Sequence, residues 1–311
     1  MILRIGTRGS RLALAQAHAI ADALRDAGAD VEVVPMRTEG DRRVDARLAD
    51  VGGKGLFVRE IEEALLAGRV DVAVHSLKDL PAEVPDGLDL AAFPEREDPR
   101  DILVTAAGGG LEDLRAGAVI GTSSLRRRAY VLACRPDLVV EPLRGNVDTR
   151  LAKLAAGECD AVLLAAAGLR RLGISPTNCR ALSVETFVPA VGQGILGVEI
   201  RRDDAGARRL VSRLDHADTR ACALAERGYL RRLGASCNTP MAAHATLDRS
   251  GDRLRLRMTA VVASEDGRRV LRADSAGMPA DAERVGRSLA ELLLERGAEA
   301  VTALAPSRWS P

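Results

Sequence analysis

A chain of 311 residues, 47% apolar and 29% charged, is long enough for two or three domains with cores of their own, and its composition is not that of a disordered protein. The net charge is +1, so no global field draws in a polyphosphate, and aromatics at 2% leave few platforms for stacking nucleic-acid bases. Lysine stands only at Lys54, Lys78 and Lys153, so nearly all of the basic residues are arginine; most of these belong to solvated faces, but clusters in loops need another explanation.

In chain order, the first third alternates strand and helix. Residues 3–5 read as a strand, 10–27 as a helix with Ser10 as N-cap, and 31–35 as a second strand. Gly52-Gly53-Lys54-Gly55 reads as a mobile lid before a helix at 56–67; it lacks the hydroxyl residue and glycine spacing of a nucleotide-binding loop. Residues 70–75 are a buried-type strand, followed by the loop His75-Ser76-Leu77-Lys78-Asp79-Leu80-Pro81. This alternation predicts a parallel sheet with helices on both faces.

The charged, proline-bearing stretch 94–101 reads as an interdomain crossing, and the pattern then restarts. Strands fall at 118–121, 138–141 and 161–166, with helices at 124–134 and 147–156. After Pro189-Ala190-Val191-Gly192-Gln193-Gly194, residues 195–200 read as a strand returning to the first domain. The remainder differs: a helix at 219–233, three strand-like runs (241–247, 254–262, 269–273) joined by short turns, and an amphipathic helix at 280–296. The expected division is 1–95 with 195–213, then 100–190, then 217–311. That gives two doubly wound α/β domains flanking a cleft and a C-terminal α+β domain with a three-stranded antiparallel sheet.

Gly121-Thr122-Ser123-Ser124-Leu125-Arg126-Arg127-Arg128 ends a strand in hydroxyl residues and opens a helix with arginines in its first turn. Free N–H groups there favour an anion, and positive charge in that turn is unfavourable unless an anion is brought to it. Leu143-Arg144-Gly145-Asn146-Val147-Asp148-Thr149-Arg150 repeats the arrangement, Gly168-Leu169-Arg170-Arg171 follows the next strand, and Arg8 with Ser10 follows the first strand of the chain. Open α/β sheets bind ligands beyond the carboxyl ends of their strands, and convergent arginines suit a substrate with several carboxylates. Lys78 and Asp79 put an ammonium and a carboxylate at the end of a buried strand, where an Asp can stabilise a developing cation or shuttle a proton.

Of the five cysteines, Cys134, Cys159, Cys179 and Cys222 lie in helix-like or apolar contexts, whereas Cys237 sits in the loop Gly234-Ala235-Ser236-Cys237-Asn238-Thr239-Pro240. No CxxC pair and no metal-ligand spacing of histidines occur, so neither disulfides nor a metal is expected. The N-terminus carries no apolar leader and no stretch approaches a membrane span, which predicts a cytoplasmic chain without membrane contact.

Read together, Arg4-Ile5-Gly6-Thr7-Arg8-Gly9-Ser10, Val51-Gly52-Gly53-Lys54-Gly55-Leu56-Phe57, residues 75–81, 121–127, 143–146 and 189–194, and the Cys237 loop resemble the porphobilinogen deaminase (hydroxymethylbilane synthase) family across essentially the whole chain. The resemblance implies periplasmic-binding-protein-like first and second domains and a monomeric enzyme of tetrapyrrole synthesis. Four porphobilinogen molecules would be condensed head to tail on a covalent dipyrromethane cofactor, with loss of ammonia. It further implies a thioether to Cys237, Asp79 as catalytic carboxylate and Lys78 beside it. Lys78, Asp79, Arg126, Arg127, Ser124, Gly145 and Arg150 would hold the cofactor, and Arg8, Ser10, Thr122, Ser123, Arg144, Arg150, Arg171 and Gln193 the substrate. One departure is Arg59, where lysine is common in the family; the charge is kept. Two other classes fit parts of the sequence. A solute-binding protein shares the crossing-and-returning chain but needs an export signal and has no use for Asp79 or a loop thiol. A nucleic-acid-binding regulator is disfavoured by the charge and the scarce aromatics.

Overall fold

The computed structural model describes residues 2–36, 58–234, 239–251 and 253–303, and its strands sort into three sheets. The chain opens with β1 (Ile2–Arg8), α1 (Arg11–Asp26), β2 (Asp30–Met36), α2 (Arg59–Leu66), β3 (Val72–Ser76), a 3-10 turn (Leu77–Asp79) and β4 (Leu88–Ala92). It crosses to β5 (Asp101–Thr105), β6 (Val119–Gly121), α3 (Leu125–Cys134), β7 (Val139–Glu141), α4 (Val147–Ala155), β8 (Ala161–Ala165), α5 (Ala166–Arg171) and β9 (Cys179–Ala181). It then returns as β10 (Leu196–Arg201) and α6 (Ala205–Val211). Last come α7 (Ala217–Leu233), β11 (Met241–Asp248), β12 (Arg255–Ala263), β13 (Val270–Gly277), α8 (Ala282–Glu295) and α9 (Ala298–Ala303).

The first sheet runs β2-β1-β3-β10-β4; its central strand β3 is a nearly continuous buried apolar run, whereas the edge strand β2 is largely exposed or half-buried. Leu3, Ile5, Val72 and Val74 pack against Ala17, Ile20 and Leu24 of α1. On the other face, Val70, Ala73 and Leu88 meet Ile61, Ala64 and Leu65 of α2. The second sheet, β7-β6-β8-β5-β9, repeats the plan, with α3 supplying Tyr130 and Val131 to one face and α4 and α5 supplying Leu154 and Leu169 to the other.

Both sheets are mixed, which corrects the expectation of a parallel sheet. β10 runs antiparallel to β3 and β4, and β5 runs antiparallel to β8 and β9. In each sheet the reversed strand is the one delivered by a crossing from the other sheet. The return strand was legible in the sequence; β4, β5 and β9 were not. The two crossings touch where Glu97 N donates to Gly194 O at 3.2 Å. Gly194 has φ +88°, and a Cβ there would stand 2.3 Å from Glu97 O, so the approach requires glycine.

The third sheet, β11-β12-β13, is antiparallel throughout. One face is covered by α7, α8 and α9 through Tyr229, Leu289, Leu293 and Val301, and from the other Ala242 and Val261 reach into the core of the second sheet. The glycine-rich lid at 52–55 and Cys237 lie outside the described residues.

Candidate active site

The carboxyl ends of β1, β3, β6 and β8 and the two crossings converge on one junction. β3 leads into the 3-10 turn that carries Lys78 and Asp79, so the buried run 72–76 fixes where those side chains emerge. Asp79 is exposed and shares a recess of about 420 Å³, open to solvent, with Arg8, Ser10, Gln16, His75 and Ser76. Ser10 also caps α1, its Oγ accepting from Ala13 N at 3.3 Å. Behind the recess, His75 Nε2 and Glu199 Oε2 stand 3.1 Å apart, both buried. Burial, followed by the charge of Glu199, pushes the nearby Glu62 carboxyl up to about 7.

On the opposite wall, Ser124 caps α3 by accepting from Arg127 N at 3.4 Å, and Thr122 Oγ1 accepts from Ser124 N at 3.2 Å. Ser123 Oγ donates to Leu143 O at 3.1 Å. Arg126 and Arg127, with side chains only 5% and 8% exposed, turn inward onto one carboxylate. Arg126 Nη1 and Nη2 donate to Asp101 Oδ2 and Oδ1 at 2.8 and 3.1 Å, and Arg127 Nε and Nη2 donate to Asp101 Oδ1 at 2.9 and 2.7 Å. Burial alone would raise the Asp101 pKa; the two guanidiniums overcome that and hold it far below the usual carboxylate range. The anion that the first turn of α3 requires is therefore supplied by the protein itself. Asp101, the first residue of a wholly buried strand, is the site residue that sequence reasoning missed. The signal was there in part: an aspartate opening the run Asp-Ile-Leu-Val-Thr.

The crossings add further groups. Gln193, itself buried, donates through Nε2 to Pro99 O at 2.7 Å and to Asp101 Oδ1 at 3.3 Å, and its Oε1 accepts from Lys78 Nζ at 3.5 Å. Burial pushes the Lys78 ammonium down to about 8, with Arg127 and Arg126 lowering it further and Asp79 and Asp101 opposing. Arg150, whose Nε donates to Gly145 O at 2.9 Å, is pushed down to about 10 by burial and then by Arg127, and it has no carboxylate partner among the described residues. Arg171 is pushed down to about 10 by burial, and its Nη2 donates to Gly194 O at 2.7 Å. Its stretch is the helix α5 rather than a loop after β8. Arg144 lies in the turn before α4 and is half-buried.

The junction thus gathers Lys78, Arg126 and Arg127 around one buried carboxylate, with Arg150 beside Arg127 and the exposed Asp79 beside Lys78. Such a site attracts an anion with several carboxylates, because each ion pair formed there returns part of the solvation already lost. Elsewhere the cysteines divide. Cys159 and Cys222 are buried, the latter with its thiol pushed up to about 12 by burial and then by Glu226. Cys134 and Cys179 are exposed: Cys134 ends the helix α3, the helix-like context expected, whereas Cys179 lies on the exposed edge strand β9, neither helical nor apolar. Among the described residues no cluster of His, Cys, Asp and Glu could hold a metal, and no described helix is long and apolar enough to cross a membrane.

Comparison with known proteins agrees with this chemistry. Residues 3–209 match the family model described as porphobilinogen deaminase, dipyromethane cofactor binding domain, and residues 220–295 match that of the porphobilinogen deaminase C-terminal domain. The porphobilinogen deaminase of Syntrophobacter fumaroxidans is 47% identical over 302 residues, covering 96% of both chains. Among solved structures, a periplasmic substrate-binding protein of a Coxiella burnetii ABC transporter is 17% identical with a TM-score of 0.41, over 68% of this chain and 91% of that one. A Salmonella typhimurium periplasmic binding protein of high arginine specificity is 13% identical with a TM-score of 0.38, over 68% and 91%.

Proposed function

The chain belongs to the porphobilinogen deaminase family, and on that premise we propose how its residues divide the work of condensing porphobilinogen head to tail into hydroxymethylbilane with loss of ammonia. The observation that carries the assignment is the excess of desolvated cations at the junction, with Lys78 beside Asp79 pushed down to about 8 and Arg150 beside Arg127 pushed down to about 10.

These residues fit the family's dipyrromethane cofactor. Each of its rings bears two carboxylates, and Arg150 is a half-buried guanidinium without a carboxylate partner among the described residues. When bound, the cofactor supplies a nucleophilic pyrrole carbon to which substrate rings are added. Cys237 would anchor it, since a thiol is a far better nucleophile toward an electron-poor carbon than a hydroxyl. Arg150, Lys78 and the N–H-rich start of α3 with Ser124, Arg126 and Arg127 would hold its carboxylates, with Gly145 fixing the turn on which Arg150 rests.

Arg8, Arg144 and Arg171 would take the acetate and propionate of porphobilinogen, with Ser10, Thr122, Ser123 and Gln193 shaping the walls. Thr122 is buried and Ser10 already serves as a cap, which supports a positioning part for these two hydroxyls rather than strong direct binding. Asp79, exposed at the recess, would stabilise the positive charge that develops on the pyrrole nitrogen as ammonia leaves. The buried strand β3 and the turn after it fix where that carboxylate emerges, and the cations beside it draw the substrate's own carboxylates away from it.

We also propose the division into units 1–95 with 195–213, 100–190 and 217–311, which the three sheets support, and a cytoplasmic monomer, as the family resemblance implies. Intact mass of the purified protein tests the reading. The wild type is expected to carry a two-pyrrole adduct and Cys237→Ser none, with Cys134, Cys159, Cys179 and Cys222 each replaceable by Ala without loss of it. An adduct that survives in Cys237→Ser would overturn the anchor.

A further inference from the structure

We infer that Asp101 is a positioning residue of this site: by bonding Arg126, Arg127 and Gln193 at once, its carboxylate fixes the cationic wall on α3 against the crossing that carries the partner of Lys78. The inference rests on the function proposed above for the junction, but the geometry stands by itself.

Three independent segments meet on one buried side chain. Asp101 closes the outgoing crossing and opens β5, whose residues are all buried, so its position is set by the second sheet. Arg126 and Arg127 occupy the first turn of α3 and make four bonds to its two oxygens, between 2.7 and 3.1 Å. Gln193 belongs to the return crossing and reaches Asp101 Oδ1 at 3.3 Å on one side and Lys78 Nζ at 3.5 Å on the other. The other donors of the two arginines are also directed: Arg126 Nη1 to Val188 O at 2.9 Å and Arg127 Nη1 to Leu163 O at 2.7 Å. Arg126 Nε is buried without a hydrogen-bond partner among the described residues, so the hydrogen bonds of this guanidinium go to Asp101 and Val188, with its plane over the Phe187 ring. With both guanidiniums turned onto Asp101, their charge still reaches Lys78, and that of Arg127 reaches Arg150. The charge offered to an anion depends on where Asp101 holds them.

Two variants separate positioning from mere stability. Asp101→Asn keeps the shape and removes the charge. Lys78 then faces Arg126 and Arg127 with only Asp79 in compensation, and its pKa is expected to fall below about 8. With lysine otherwise only at Lys54 and Lys153, ¹³C-methylation and NMR titration can read Lys78 directly. A folded Asp101→Asn enzyme in which Lys78 titrates unchanged, or higher, overturns the inference. Asp101→Glu keeps the charge, which guards the test against a misfolded Asn variant. It displaces the carboxylate by one methylene, so Lys78 should titrate near its wild-type value while kcat/KM falls by about 10²-fold, the scale of an ångström's misplacement. Wild-type kcat/KM in Asp101→Glu also overturns it. The titration needs no turnover, so a wild-type protein found without a two-pyrrole adduct would sink the proposed function and leave this result readable.

Discussion

Lys78 loses its charge as pH rises through about 8, far earlier than an ordinary lysine, because burial penalises the ammonium. The sign of two pH effects follows. The cation that would hold a cofactor carboxylate is lost as pH rises above about 8, so kcat/KM for porphobilinogen should fall there. Stability moves the other way. The unfolded chain binds the proton more tightly than the folded one between the folded pKa and the ordinary lysine value, so this residue's destabilising contribution, fully present below about pH 8, is relieved as pH rises through that window. A Lys78→Met enzyme should lack the alkaline limb of kcat/KM; an unchanged limb would assign it to another group. The pair Lys78 and Asp79 was legible in the sequence because two opposite charges end an apolar run. Asp101 was not, because a charge that opens a buried strand looks, in one dimension, like the end of the charged loop before it. The same flatness hid the inward turn of Arg126 and Arg127, which as residue types read equally as solvent-facing cations.

The helices and return strand found by periodicity reappear within a few residues of their expected bounds, as with 219–233 against Ala217–Leu233 and 195–200 against Leu196–Arg201. What periodicity could not find were β4, β5 and β9; β9 is three exposed residues and β5 follows a run of charges. Close packing between elements was equally hidden. α7 and α8 cross with glycines at the contact: a Cβ on Gly286 would lie 1.8 Å from Ala225 O, and one on Gly228 would lie 2.5 Å from Glu283 O. The obstacle in both cases is helix backbone, which cannot rotate away. Gly286→Ala should therefore push the helices apart and cost about 3 kcal/mol, the upper part of the range for overpacking, although alanine is the better helix former. Thermal or denaturant unfolding of the variant checks this. A neutral or stabilising effect would mean that propensity outweighs the approach.

At the scale of the whole molecule, the three sheets are joined through another buried carboxylate. Glu226 of α7 accepts from Arg96 Nη1 at 2.6 Å, from Gly192 N at 2.6 Å and from Ala245 N at 2.9 Å, so the outgoing crossing, the return crossing and β11 all end on it. Its side chain is 0% exposed and that of Arg96 11%, so removing the charge leaves a guanidinium buried without compensation. The exposed pair Arg11–Asp148 makes the contrast. It also bridges the first and second sheets' helices, α1 to α4, at 3.0 Å, but with side chains 63% and 43% exposed. Glu226→Gln should cost about 3–5 kcal/mol, as breaking a buried pair does, whereas Arg11→Ala should cost under about 1 kcal/mol and less still in high salt. Measured side by side in thermal unfolding, Glu226→Gln should lower the midpoint by about 6 °C or more, and Arg11→Ala by no more than about 3 °C. The cause would be visible in function too. Loosened crossings move Gln193 and Gly194 away from Lys78 and Arg171, so Glu226→Gln should lose turnover though Glu226 touches no substrate. Equal midpoints for the two variants would show that the junction is held by packing around the crossings and not by the buried charge.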